Sequence, residues 1–331
     1  MPGELWRSVA QVGKEVTPGT PVAATRKVYL MDPSLVDARD PRPKRFAVGR
    51  RDNVLTIPRG PSAVSGGATV DMSADELIEW FLVSLKGGVT PTTPGGATTA
   101  RLWTFVPGAT ALDALTMEYH DGANLWVGSG IRGNTITIDG SVDGDNTVAF
   151  ELFGQSRAKL VSLTPALTDR DVNYMQGWQT NLYIEALGAT PGTTQLSAIM
   201  LNWNVKIDNQ LGRRYYANNS QNAGAITTGE LDVTAQITFE ASSASAITEF
   251  DNWDADTPRL VRLEFLGPAD GIETGFRRFV TVDLPGKWTN PDFAQDDNGV
   301  RTYQFNLQYQ YDSTNAYGLQ VRCQNARTSA F

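Results

Sequence analysis

The sequence predicts a mainly β protein: two tandem β-domains, each with one flanking α-helix. Three observations predict it. Apolar and polar residues alternate with a period of two over long stretches, as they do in strands with one face in a core. Only two segments carry helical spacing. The order strand, helix, several strands occurs twice along the 331 residues, a length that suits two domains of roughly 150 residues.

The clearest alternation sets Leu231, Val233, Ala235, Ile237 and Phe239 against Asp232, Thr234, Gln236, Thr238 and Glu240. A second sets Ile199, Leu201, Trp203, Val205 and Ile207 against Met200, Asn202, Asn204, Lys206 and Asp208. A third sets Tyr303, Phe305, Leu307, Tyr309 and Tyr311 against Gln304, Asn306, Gln308 and Gln310. One-sided strands of this kind belong to antiparallel sheets. Ser73-Ala74-Asp75-Glu76 reads as a capping box. Ile78, Phe81, Leu82 and Leu85 follow it at helical spacing, Leu77 and Trp80 widen the stripe, and Gly87-Gly88 ends it. A weaker helix is expected over residues 243–253, with Ile247, Phe250 and Trp253 near one face, before Pro258.

In the first half a short strand at 69–71 leads into the helix, and strands are expected near 100–106, 115–119, 134–142 and 147–153. In the second half 231–240 leads into the helix, and strands are expected near 260–266, 278–284, 302–311 and 319–323. The join falls at 162–180, where Thr164-Pro165 and Asp169-Arg170-Asp171 mark exposed chain. The expected organisation is an irregular arm over residues 1–50, with Pro18, Pro21, Pro33, Pro41 and Pro43; a first β-domain over 51–165; and a second over 166–331. A Thr/Pro/Gly-rich loop interrupts the first domain at 89–99, and a long loop spans 210–228 of the second.

Hydrophobic residues make up 41% and charged residues 19%, a folded composition rather than a disordered one. The net charge of -8 suits a surface that does not grip nucleic acid, because phosphate binding is driven by Lys and Arg. With one cysteine, Cys323, and one histidine, His120, neither an internal disulfide nor a zinc site is expected. Cys323 alternates with Val321 and Leu319 as a small core residue, and His120 stands at a strand end. No stretch reaches the roughly 18 apolar residues a membrane span needs, and no basic start precedes an apolar run. Neither a membrane location nor a cleaved signal is expected.

Several motifs invite chemistry and most decline it. Gly128-Ser129-Gly130-Ile131-Arg132-Gly133 matches the dinucleotide pattern, but the β run Thr135-Ile136-Thr137-Ile138 follows where a helix must begin. A turn or bulge is the expectation. The acidic stretch 139–151 fails the calcium-loop spacing in both registers, and Asp143-Gly144-Asp145-Asn146 reads as a hairpin turn. Arg39, Arg42, Lys44, Arg45, Arg50 and Arg51 form the one basic cluster; pairing with acidic surface on a neighbouring subunit is favoured over contact with nucleic acid. The loop 210–228 is far longer than a tight hairpin needs. It holds Arg213, Arg214, Tyr215 and Tyr216, residue types enriched at protein interfaces. No triad, paired-carboxylate or phosphate-loop constellation emerges, so no enzyme and no cofactor is expected.

The order of several segments resembles the tail tube proteins of phages with long, non-contractile tails. The opening Gly13-Lys14-Glu15-Val16-Thr17-Pro18-Gly19-Thr20-Pro21-Val22-Ala23-Ala24-Thr25-Arg26 is similar to the start of many of them. So are Ile207-Asp208-Asn209-Gln210-Leu211-Gly212 and the strand that begins after Ile226-Thr227-Thr228-Gly229. Gly318-Leu319-Gln320-Val321-Arg322-Cys323-Gln324-Asn325 looks like the family's last strand. The first half matches in strand order more than in residues. The resemblance implies tail-tube-type domains of β-sandwich or half-barrel form, whose sheets join into a β-barrel ring, with rings stacked into a virion tail tube through which genome DNA passes unbound. A duplicated chain implies trimeric, pseudo-sixfold rings. It also implies tape measure, tail terminator and distal tail proteins as partners, assembly in the host cytoplasm, and inter-ring contact through the arm and through Arg213, Arg214, Tyr215 and Tyr216. The alternative is a carbohydrate-binding or adhesion module of a phage tail tip, with Trp6, Trp103, Trp126, Trp178 and Trp288 as sugar platforms.

Overall fold

Strands form wherever the period-two alternation is longest. The structure, a computed structural model, describes residues 5–197 and 199–331. Six strands come first: β1 (Val9–Lys14), β2 (Arg26–Val28), β3 (Met31–Ala38), β4 (Lys44–Arg45), β5 (Val54–Thr56) and β6 (Ala63–Asp71). Helix α1 (Ile78–Ser84) follows, then β7 (Arg101–Phe105), β8 (Leu115–His120), β9 (Leu125–Ser141), β10 (Thr147–Gly154) and β11 (Ser156–Lys159). The later half holds β12 (Thr180–Ala186), β13 (Gln195–Leu196), β14 (Met200–Asp208), β15 (Gly212–Arg214), β16 (Ala225–Thr227) and β17 (Asp232–Glu240). Helix α2 (Ala244–Asp254), β18 (Arg259–Leu266), β19 (Phe279–Asp297), β20 (Val300–Tyr309) and β21 (Gln320–Asn325) complete it.

All the named pairings are antiparallel, and they recur. β1 pairs with β2 and β8; β9 with β8, β10 and β11; β6 with β3 and β10; β4 with β5. In the later half β12 pairs with β13 and β18; β19 with β18, β20 and β21; β17 with β14 and β20; β15 with β16. Each pairing of the first set thus has a counterpart in the second. β7 alone stands outside the correspondence, and it pairs with β21. The two sets meet where β9 pairs with β14, from Asn202 opposite Ser141 to Asp208 opposite Thr135. One antiparallel sheet therefore runs β3–β6–β10–β9–β14–β17–β20–β19.

Alternation decides which face enters the core. Val233, Ala235, Ile237 and Phe239 of β17 are buried, while Asp232, Thr234 and Gln236 are exposed. β14 departs from strict alternation: Met200 is buried and Leu201 is not, because the register against β17 shifts between Met200 and Asn202. Such a bulge turns the following side chains by one step. Tyr311 lies beyond β20 and is exposed. Aromatic rings fill the core. Trp80 stacks on Phe150 at 5.4 Å between centroids, and Phe305 meets Phe239 at 5.5 Å and Trp288 at 5.4 Å.

The first segment corrects one expectation. Residues 9–38 hold β1, β2 and β3 rather than irregular chain, and Ala10 and Val12 are buried. Proline does not forbid this. Pro33 lies in β3 at the register shift between Met31 and Ser34, on a strand with one neighbour, where a missing N–H costs no ladder bond.

The capping box also resolves differently. Leu77 is the N-cap of α1 and no side chain caps the helix. Ser73 accepts a hydrogen bond from the N–H of Asp75 at 3.2 Å, and Glu76 turns away to accept one from Arg170 at 2.6 Å. A guanidinium outcompetes a neutral N–H for a carboxylate. The second helix is the better capped: the Ser243 hydroxyl accepts from the N–H of Ala246 at 3.1 Å.

Gly128, Gly130 and Gly133 all lie within β9, with no helix after them. At Gly130, φ is 63°, and a Cβ at Gly133 would stand 1.8 Å from the Ser84 hydroxyl. Glycine here allows a bulged strand to pass under α1.

Candidate assembly interface

An antiparallel sheet that ends in unpaired strands offers hydrogen-bonding edges to another chain. Among the described residues, β3 pairs only with β6, and residues 287–297 of β19 pair only with β20. These are the two ends of the long sheet. Val36 on β3 is 58% exposed, while the Leu35 carbonyl beside it accepts from the Tyr119 hydroxyl at 2.9 Å.

One face of the sheet is core. The other is polar and mostly uncharged, with Thr137, Asn202, Asn204, Thr234, Gln236, Gln304, Asn306 and Gln308 in adjoining rows. Their amides bond across strands. Gln236 donates to Asn306 at 3.1 Å, Asn204 to Asp139 at 3.1 Å, and Gln308 to Asp232 at 2.9 Å. Such ladders hold the side chains flat along the sheet.

The rims of the sheet differ. Register places Ala38 opposite Ala63 and Asp208 opposite Asp232, so both long excursions, 39–62 and 209–231, leave from one rim. The turns 142–146 and 298–299 lie at the other. The turn expected at Asp143-Gly144-Asp145-Asn146 is there, with the N–H of Gly144 donating to Ser141 at 3.2 Å.

Both excursions carry a short hairpin. β4–β5 is exposed throughout and shows Phe46, Val48, Val54, Leu55 and Ile57 to solvent. β15–β16 holds the four residues singled out from the sequence, and it divides them. The guanidinium of Arg213 lies 3.9 Å from the Phe153 ring centre and donates to the Val64 carbonyl. Burial pulls its pKa below the usual arginine value. Tyr215 is 40% exposed, yet its hydroxyl donates to the Ser62 carbonyl at 2.8 Å. Arg213 and Tyr215 therefore fold the loop back on the strand start. Arg214 and Tyr216 face outward, Tyr216 at 55% exposure.

A family profile described as phage tail tube protein matches residues 6–310. The chain belongs to the phage tail tube protein family. The match takes in the open edges, the polar face and both excursions. It supports a structural component of a virion tail. A search of curated proteins finds no match.

Within a tail tube fold, residues set aside from the sequence find structural work. Cys323 is buried and its thiol is pushed up by burial. His120 accepts a hydrogen bond at Nδ1 from the N–H of Gly122, 3.1 Å away. Trp103 and Trp288 are buried, donating to Asn325 at 3.1 Å and to Glu249 at 2.7 Å. Trp126 donates to Asp121 at 2.7 Å beneath the Arg157 guanidinium, 3.5 Å from its ring centre. Of the five tryptophans weighed as sugar platforms, Trp6 and Trp178 stay open to solvent.

Sequence reasoning missed an ionic cluster around α1. Glu79 is fully buried and meets Arg327 at 2.6 Å, Arg26 at 3.4 Å and Arg170 at 3.8 Å. Glu76 accepts from Arg170, and Asp75 accepts from Arg278 at 2.7 Å. Burial raises the pKa of Glu76, against the pull of Arg170. Burial, with Arg327 nearby, lowers that of Arg26 to about 10. The arginines are scattered over the whole sequence, so no local spacing announces them. The clue available was Glu76 and Glu79 in a segment otherwise apolar enough to be buried.

Proposed function

We propose that the chain is the ring-forming subunit of a phage tail tube, and that three copies close a pseudo-sixfold β-barrel ring. The chain is read as two tandem tail-tube-type β-domains, spanning 9–159 and 180–325. The rings stack into a hollow channel for genome ejection, and the polar, largely uncharged face lines it. Rows of Gln, Asn and Thr present few cations to phosphate, so DNA slides past without a binding step.

The observation that carries this reading is the β9–β14 joint. β9 corresponds to β19 and β14 corresponds to β3 in the recurring pairings. The two open edges are thus the counterparts of two strands already paired inside the chain. Repeating that joint between copies satisfies both edges, and a closed ring leaves none. Register carries over as well. Thr137 faces Lys206 in the internal joint, and the matching residues are Asp292 and Val36.

Tape measure, tail terminator and distal tail proteins are the partners this role requires at the lumen and the ends. Assembly takes place in the host cytoplasm, with no enzymatic step. Negative-stain electron microscopy of the concentrated protein tests the reading. Hollow tubes or rings with threefold or sixfold projections are expected; a ring of six chains or a uniformly monomeric protein at all concentrations overturns it.

A further inference from the structure

The two rims of the sheet carry opposite charge. The excursion 39–62 contains Arg39, Arg42, Lys44, Arg45, Arg50, Arg51 and Arg59 against Asp40 and Asp52. It is a cationic arm on a chain whose net charge is -8. Arg39 pairs with Asp37 at 2.7 Å and Arg50 lies 3.4 Å from Asp52; Arg42, Lys44, Arg45, Arg51 and Arg59 are exposed. The arm's apolar side chains, Phe46, Leu55 and Ile57 among them, are half exposed as well, an arrangement typical of a docking segment.

The far rim is acidic. Asp139, Asp143 and Asp145 surround one turn with no basic residue between them. Asp296 and Asp297 flank the other, with Arg301. All five aspartates are exposed. Asp71 lies on the same rim, opposite Thr147. Burial, and then the charge of Asp145, raise its pKa, so negative charge is crowded there.

We propose that the basic hairpin 39–62 of one copy docks on the acidic turns 139–146 and 296–299 of a second copy, so that charge complementarity sets the head-to-tail direction of stacking. The docking rests on the tube function proposed above. Head to head, cationic arms would face each other, and like charges brought together oppose contact. Head to tail, arm meets acid at every step. The same rule repeats without end because the two surfaces are on opposite rims of one subunit. Nucleic acid is a poorer occupant: the chain as a whole carries a net charge of -8, and the matching surface already exists on another copy.

Two charge-reversed proteins test the docking. One carries Arg42→Glu, Arg45→Glu and Arg51→Glu; the other carries Asp143→Lys, Asp145→Lys and Asp297→Lys. Every position is exposed, and circular dichroism verifies folding. Sedimentation and electron microscopy at low salt should show each variant associating at least roughly tenfold more weakly than the parent. Mixing the two should restore association, since each arm then meets a rim of opposite sign. Folded variants that assemble like the parent overturn the docking alone. So does a mixture with no rescue. An arm variant that loses affinity for a DNA duplex while its stacking is unchanged assigns the arm to nucleic acid instead. A parent protein that never self-associates overturns the tube function and this docking together.

Discussion

Glu79 and Arg327 form a two-pronged contact, Oε1 to Nη2 at 2.6 Å and Oε2 to Nη1 at 2.9 Å. They stand 248 residues apart, so this contact ties α1 to a segment made long after it. Arg26 and Arg170 share the same carboxylate. Removing it takes the counter-charge from the largely buried Arg26 and Arg327, while Arg170 keeps Glu76. Glu79→Ala should therefore cost about 3 kcal/mol of stability, read from the midpoint of chemical unfolding. A loss below about 1 kcal/mol would mean the cluster relaxes into water at little cost.

The proposed ring joint makes a residue-level claim. In a protein carrying Val36→Cys and Asp292→Cys, mild oxidation should yield covalent dimers and circular trimers on a non-reducing gel. Each single variant should stay monomeric under the same treatment. Cys323 is buried and takes no part. Cross-links absent from the double variant while rings are visible by microscopy would place the joint in another register.

Arg213 and Tyr216 should separate stability from assembly. Arg213 stacks on Phe153 and reaches the Val64 carbonyl, so Arg213→Ala should lower stability by about 1–2 kcal/mol. Tyr216 is exposed, so Tyr216→Ala should leave thermal unfolding unchanged. It should instead raise the concentration needed for tube formation by roughly tenfold, the effect of losing one interface aromatic. Equal melting shifts in the two variants would contradict this division.

Acid should loosen the contact between residues 98–100 and Glu273. The carboxylate accepts from the Thr98 hydroxyl and from the N–H groups of Ala100, Thr99 and Thr98, which hold its pKa at about 2, below the usual 4.5. A depressed carboxylate stabilises the fold fully above its ordinary value, and the contribution is lost as pH falls toward the depressed one. Glu273→Gln should thus be less stable than the parent at about pH 6, with the gap closing by about pH 2. A gap that does not change with pH would show that the charge of Glu273 is not what holds the loop.

The strands were legible because burial on one face imposes alternation: Val233, Ala235, Ile237 and Phe239 have no other reason to recur at every second place. The hairpin turn at Asp143-Gly144-Asp145-Asn146 was legible for a similar local reason. Leu201 was misplaced because a bulge changes the phase without leaving a mark in composition. β1 to β3 were hidden by nearby prolines, whose effect depends on whether the strand is an edge, and that is a property of topology. Arg213 and Tyr215 share residue types with Arg214 and Tyr216, so interface preference alone could not tell the inward pair from the outward one. The recurrence of pairings lies deeper still, since it is a property of topology with no repeat of residues along the sequence to announce it.

β7 is the strand without a counterpart, and it pairs with β21; Trp103 on the first reaches Asn325 on the second across 222 residues of sequence. During synthesis, β7 leaves the ribosome long before its partner exists. The earlier half must wait, with β7 unmated and Glu79 short of its two-pronged partner Arg327, until residues 320–327 arrive. A chain cut short in that interval lacks the closing strand and exposes the edge of β7, the kind of unpaired edge that favours aggregation. The stitch between β7 and β21 thereby makes the packing of an early strand depend on the last one to be made.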